Sequence, residues 1–440
     1  MRANKTSRAR TRTLVGLSLA ALAAAAATAG PGPAVARPAA APAPAADCGA
    51  AHRIEQKLTG GTTWRMCWGY DPKSGLVLNG ISYQPKGEPK PVKVLASARL
   101  SQIHVPYDNG RREYHDLTDQ RFAQGLVNLA PAECPGGTIK TIKVRDADYS
   151  TTPDIKGLCA TTRARGHAYR MQSEEDYSKR YQAQGKDLLL YTVNKVGWYE
   201  YISEWRFQDD GAIQMHVGAT GSLSPEDYAA DDGHGWPIGK GARAKATSHS
   251  HNVFWRLHFA LDGSSKNRIE QYDSKVSPPV RGQEAPTNRT TRTKVTKELA
   301  GDAKNMRWWR VVSATGKNKD GHPRSYEIVP GATSAYPGRG FTRHDLYVTE
   351  YDRCELYASH NGGCAGGHPG SLDKWVNGQA LTRPVVWVNI GFHHVARDED
   401  QQPMPVHWQG FSLAPRDVTA MNPLTPKELA GQNGRLDGGS

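Results

Sequence analysis

The sequence predicts an all-β fold, a large antiparallel β-sandwich, and three observations carry that prediction. Short apolar or alternating segments recur from Leu76 to Ile390. Clusters of Gly, Pro, Asn and Asp separate them, in a chain of 440 residues with 45 Gly and 28 Pro. Helical periodicity is weak throughout. The strand segments are Leu76 to Tyr83, Val92 to Ser97, Leu188 to Val193, Glu204 to Phe207, Ala212 to Val217, Val253 to Leu261, Trp308 to Val312 and Val385 to Ile390. One short helix is expected around Ser173 to Gln184, where Ser173-Glu174-Glu175-Asp176 offers a cap and an acidic first turn. The polar stretch Ser274 to Lys297 reads as a long exposed connection. No internal repeat and no clean linker follow residue 50, so one sandwich domain over residues 48–430 is expected, with a flexible tail at 431–440.

The N-terminus reads as a targeting segment. Arg2, Lys5, Arg8, Arg10 and Arg12 precede the Leu- and Ala-rich run Leu14 to Gly30, and Ala34-Val35-Ala36 offers a small-x-small cleavage site. Residues 1–36 are therefore expected to be a signal peptide cleaved near Ala36, residues 37–47 a Pro/Ala linker, and the protein secreted. No later stretch is long and apolar enough for a membrane span. The formal charge is +13, part of it in the leader. Lys and Arg are scattered rather than clustered on one element, which argues against a nucleic-acid partner. The excess suits anionic surfaces, hence a weak cell-wall association. The six cysteines of an exported chain imply three disulfides, and chain order favours Cys48–Cys67, Cys134–Cys159 and Cys354–Cys364. Metal binding by these cysteines is the lesser alternative, since their wide spacings include no CxxC.

The most informative local feature is His249-Ser250-His251 at the head of Asn252-Val253-Phe254-Trp255-Arg256-Leu257-His258-Phe259. Its aromatic and β-branched content favours a strand, in which residues i and i+2 share a face. Two imidazoles then converge on one spot, half of a copper or zinc site; the plainer alternative is a polar face meeting water.

Two other segments join the dyad. Val196-Gly197-Trp198-Tyr199-Glu200-Tyr201-Ile202 lies upstream, and Gly391-Phe392-His393-His394-Val395-Ala396-Arg397 runs on to Met404-Pro405-Val406-His407-Trp408 downstream. Together the three resemble the copper-dependent, topaquinone-containing amine oxidases. Val105-Pro106-Tyr107, Cys134 with Cys159, and Asn422-Pro423 extend the resemblance, in order, over roughly residues 60–425. It implies the family's catalytic β-sandwich without its preceding small domains. It implies copper(II) at His249, His251 and His394, topaquinone derived from Tyr199, and Tyr107 as hydrogen-bond partner of the quinone. It further implies a primary amine and dioxygen as substrates, aldehyde, ammonia and hydrogen peroxide as products, and a homodimer. His393, next to His394, should point to the opposite side of its strand, and His407 could at best support the site from behind.

The sequence departs from the family in three places. The family's base is an Asp in Phe-Asp-x-Gly-Glu, and that motif is absent. Counting from Tyr107 without gaps lands on Arg121, so Asp119 is the expected base after a two-residue deletion, with Asp116 the runner-up. Trp198 replaces the Asn before the quinone Tyr, and Lys195 an earlier Thr. A Trp there could wedge the ring by packing or block its conversion. The family's peripheral calcium positions fall on His258 and Ala260, with a later one near Arg383, so no peripheral calcium is expected. Two other readings stand beside the oxidase: a catalytically silent copper-binding or partner-subunit relative, and a zinc hydrolase, which lacks a His-Glu-x-x-His base.

Overall fold

The computed structural model describes residues 48–145, 151–228, 233–239 and 245–429. The expected leader, linker and tail lie outside the described residues. Among those described, strands dominate and all strand pairings are antiparallel. They form a nine-stranded sheet, a ten-stranded sheet and a two-stranded ribbon. Every segment expected to be a strand forms the body of one. No described helix is long and apolar enough to cross a membrane.

The two large sheets pack face to face. Alternation puts one face of each strand into a shared core. Trp64, Leu78, Ile103 and Trp255 enter it from the nine-stranded sheet, and Trp205, Met215, Phe411 and Leu413 from the ten-stranded one. Rings meet across the interface, Trp64 against Phe207 at 5.1 Å and Trp255 against Phe411 at 5.2 Å. The centre of the nine-stranded sheet is His249–Phe259, flanked by Val92–Pro106 and Pro384–His394. All eleven residues of His249–Phe259 are buried, on both faces. The outer face is covered by a second apolar cluster that includes Phe254, Phe341, Trp375 and Trp387. A strand buried on both sides reads as a near-continuous apolar run, which is why Val253 to Phe259 shows so little alternation.

The cysteines pair as Cys48–Cys67, Cys134–Cys159 and Cys354–Cys364, the order the chain favoured. Two local expectations are corrected. Ser173 to Gln184 is no helix: the strand Thr151–Gln172 ends there, a turn follows, and Arg180–Val196 returns antiparallel to it. Ser173 and Asp176 do supply local hydrogen bonds, but to a turn. Ser274 to Lys297 is no irregular connection either. Arg268–Ser277 and Thr287–Val295 form a hairpin whose second strand is almost wholly exposed. With neither face of that strand in a core, no apolar period marks it in the sequence.

Candidate active site

The site is built by register. His249 and His251 point inward from His249–Phe259, and antiparallel pairing sets His249 directly opposite His394, the last residue of Pro384–His394. Directly opposed residues have Cβ atoms about 5 Å apart, so a third imidazole joins the pair. The ligand-type nitrogens of His249, His251 and His394 all lie within 4.8 Å of one another, and all three residues are buried. His393 points away, half-exposed, with Nε2 2.8 Å from Asp108 Oδ2.

The facing sheet supplies the phenol. Arg180–Val196 and Tyr199–Gln208 are joined by the two-residue turn Gly197-Trp198, with φ +58° at Gly197. A turn this short favours Gly at its first position because φ must be positive there. The turn starts a strand whose Tyr199 and Tyr201 both face the histidines. The Tyr199 hydroxyl is 2.7 Å from His249 Nε2 and 3.1 Å from His394 Nδ1.

Neighbouring groups set the tautomers. The His394 Nε2–H donates to Asp400 Oδ2 at 2.8 Å, which leaves a lone pair on Nδ1. Asp400 is fully buried and is held by the Arg397 backbone N–H and by His407 Nε2 at 3.2 Å. Tyr201 donates its hydroxyl proton to Asp116, so His251 Nδ1–H is left to donate to the Tyr201 oxygen at 3.5 Å. His251 Nε2 then carries a lone pair, buried, with no hydrogen-bond partner. An unmade buried polar contact costs about 1–3 kcal/mol, and a bound metal would remove that cost. Burial pulls the pKa of all three histidines down, with the other imidazoles adding for His249 and His251, so they stand as neutral donors. Three neutral imidazoles with an open side suit copper(II). Burial also raises the Tyr199 hydroxyl well above the ordinary phenol range.

A cavity of about 230 Å³ opens beside the Tyr199 ring, with Tyr107, Tyr114, Asp116, Trp198 and Tyr201 among its walls. Tyr107 stacks on His249 at 4.8 Å, and its hydroxyl accepts the Trp198 indole N–H at 3.2 Å. Asp119, the expected base, and Asp116, its runner-up, fall in different places. Asp119 lies outside this cavity, partly exposed, with its carboxylate on His360 Nδ1 at 2.5 Å. The carboxylate in the cavity is Asp116, whose pKa burial pushes up to about 7. Its position follows from a hairpin. Glu113–His115 pairs back on Val92–Pro106, placing Tyr114 opposite Val105 and His115 opposite His104, and the Asp116 backbone N–H then binds the Ile103 carbonyl. Tyr201 was not singled out from the sequence; its signal was its place two residues after Tyr199 on a strand face.

At the aligned calcium positions, His258 is buried and stacked on Tyr351 at 4.5 Å, and Ala260 has no side-chain donor. Arg383 lies over Tyr351 and reaches Glu350 at 3.4 Å.

Fold and site together define an antiparallel sandwich in which a three-histidine centre on one sheet faces a buried tyrosine on the other. The family profile "Copper amine oxidase, enzyme domain" matches residues 53–428, and the chain belongs to the copper amine oxidase family. It is 28% identical over 407 residues to a histamine oxidase from Arthrobacter globiformis, a match covering 84% of this chain and 57% of that protein. It is 24% identical to the peroxisomal copper-containing amine oxidase alpha 3 of Arabidopsis thaliana, covering 86% of this chain and 60% of the relative. Among solved structures, the copper-containing benzylamine oxidase of Hansenula polymorpha superposes with a TM-score of 0.72 at 23% identity, over 85% of this chain and 61% of that one. The chain thus spans less than two thirds of the length of these relatives.

Proposed function

We propose that the chain is a secreted, copper-dependent primary-amine oxidase that converts amine and dioxygen to aldehyde, ammonia and hydrogen peroxide. One observation carries this reading: the Tyr199 hydroxyl stands 2.7 Å and 3.1 Å from two members of a three-imidazole centre. His249 Nε2, His251 Nε2 and His394 Nδ1 would hold copper, and Tyr199 would be the residue converted to topaquinone. When present, these groups supply an electrophilic carbonyl, a two-electron sink and a route for electrons to oxygen.

The chain's own residues do the rest. Asp116 faces the cavity and takes the proton from the carbon next to the amine nitrogen; with its pKa near 7 it is a usable base at neutral pH. Tyr201 holds Asp116 in place through its hydroxyl. Tyr107, fixed by the Trp198 indole, limits the motion of the Tyr199 ring. Asp400 fixes the His394 tautomer from behind. Tyr114 and Trp198 narrow the cavity and keep water out. Export agrees with the three disulfides, and we place the protein outside the cell as a homodimer. No peripheral calcium enters the reading, because His258, Ala260 and Arg383 carry no side-chain oxygen.

Mass spectrometry of the peptide spanning Tyr199, from copper-loaded protein exposed to air, tests the proposal. A quinone-modified residue that phenylhydrazine traps is expected, absent in Tyr199→Phe. An unmodified tyrosine leaves the silent copper-binding relative.

A further inference from the structure

The opposite face of the same sheet carries donors that the proposed reaction does not use. Along Val92–Pro106, Ile103 and Val105 enter the sandwich core, so His104 points outward. His115 lies opposite it on Glu113–His115, and Glu113 shares that side two residues earlier. The donor atoms of His104, Glu113 and His115 lie within 4.8 Å of one another. His104 is 0% exposed and His115 6%. His104 Nε2 is 2.5 Å and His115 Nε2 3.9 Å from the same atom, Glu113 Oε1. His115 Nδ1 is 2.7 Å from Ser359 Oγ, a hydroxyl that can accept the Nδ1 proton, and in that tautomer the Nε2 lone pair is the one a metal would take. Burial, with His104 and His360 adding, lowers His115 to about 4, so its ring is neutral at physiological pH.

The neighbourhood leaves coordination positions open. A cavity of about 460 Å³ reaches Glu113 and His115. His360 stacks on His115 at 3.6 Å and holds a left-handed backbone, φ +47°. Such a conformation in a residue other than Gly costs on the order of 1 kcal/mol and clusters at ligand sites.

We propose that His104, Glu113 and His115 form a second site, for a divalent transition metal of the zinc class. Two imidazoles and one carboxylate beside open positions are a recurrent ligand set for such ions, and nitrogen donors weigh against calcium or magnesium. The donors must separate slightly, since His104 and Glu113 are now hydrogen-bonded. Arg339 also holds Glu113, with Nε 2.8 Å from Oε1. Its Nη2 also reaches Oε2; the side chain is 55% exposed, and a carboxylate offers about four lone-pair sites, so Arg339 does not use up the donors of Glu113. The metal would sit behind the proposed base, because His115 and Asp116 are adjacent and point to opposite faces. Occupancy of this site does not rest on the amine-oxidase reading.

The test is zinc stoichiometry, with Zn²⁺ alone as probe, on chelator-stripped full-length protein. Wild type should bind two equivalents. The His249→Ala/His251→Ala chain should keep one, and adding Glu113→Gln or His115→Asn should remove it or weaken it at least tenfold. Cobalt(II) in the His249→Ala/His251→Ala chain should give a visible ligand-field spectrum without further mutation, so a folding defect in the later variants does not decide the outcome. No zinc and no cobalt spectrum in that chain, or retention unchanged in both added variants, overturns the site. Failure to form a quinone at Tyr199 would leave these counts unmoved.

Discussion

Asp116→Asn separates the proposed base from its sequence neighbour and can be worked through in numbers. Burial raises the Asp116 carboxyl from 3.8 to about 7. Three decades of proton affinity correspond to roughly 4 kcal/mol. The sign follows from proton linkage. Below pH 3.8 the folded and unfolded chains are both protonated here, and the group's contribution is fully present. Between 3.8 and about 7 only the folded chain keeps the proton, so stability from this group falls by about 1.4 kcal/mol per pH unit. Above about 7 the contribution is gone, and an ionised carboxylate is held in an enclosed site. Asp116→Asn is nearly isosteric and does not titrate. In urea unfolding of the metal-free protein, the variant should gain on wild type by roughly 3 kcal/mol between about pH 5 and about pH 8. In loaded enzyme, wild-type kcat/KM should rise with pH through about 7. Asp116→Asn should lower it about 10²- to 10⁴-fold. Asp119→Asn, which removes only a partly exposed contact to His360, should stay within a few-fold. A pH-independent stability difference, or a dead Asp119→Asn beside an active Asp116→Asn, would refute the reasoning.

Two further outcomes follow from the same geometry. Trp198→Ala removes a wall of the 230 Å³ cavity and the donor to Tyr107, so kcat/KM ratios for bulky over small primary amines should rise about tenfold or more; an unchanged ratio would mean that the indole does not limit the substrate. Cys134→Ser/Cys159→Ser opens a link between residues 25 apart in sequence and should cost about 2–5 kcal/mol in urea unfolding; equal stability would show that the buried pair constrains nothing.

What the sequence disclosed depended on how local the cause was. The dyad could be read because strand period alone places His249 and His251 together. His394 needed the family resemblance, since its place comes from register between paired strands, His249 against His394, 145 residues apart in sequence. The count pointed to Asp119, outside the cavity, rather than to the proposed base Asp116 for a specific reason. Counting from Tyr107 treats Asp108 to Arg112 as a fixed spacer, whereas it is a hairpin loop closed by the Tyr107 N–H to Arg112 carbonyl bond. Loop length is free to change; pairing of the flanking strands is not. Asp116 precedes the buried Leu117, while Asp119 begins the polar run Asp119-Gln120-Arg121, and that contrast was the usable signal. The Ser173 to Gln184 error had the opposite cause, a cap-like pattern overruled by long-range pairing.

The same physics bears on whether the site works or is inert. Packing does not ask for three neutral imidazoles in a sandwich core; apolar side chains of similar volume would fill the space without desolvating nitrogen. His251 Nε2 remains without a partner, yet Tyr201 and Asp400 still orient two of the rings so that lone pairs face inward. Trp198, the residue that most argues for blockage, spends its indole N–H on Tyr107 rather than on Tyr199, and the cavity opens beside the Tyr199 ring. A tyrosine with room on one side and two ligand-type nitrogens at its hydroxyl would have space to turn, and a metal within reach once the centre is filled. On this ground we read Trp198 as a wall of the amine cavity and not as a plug in it.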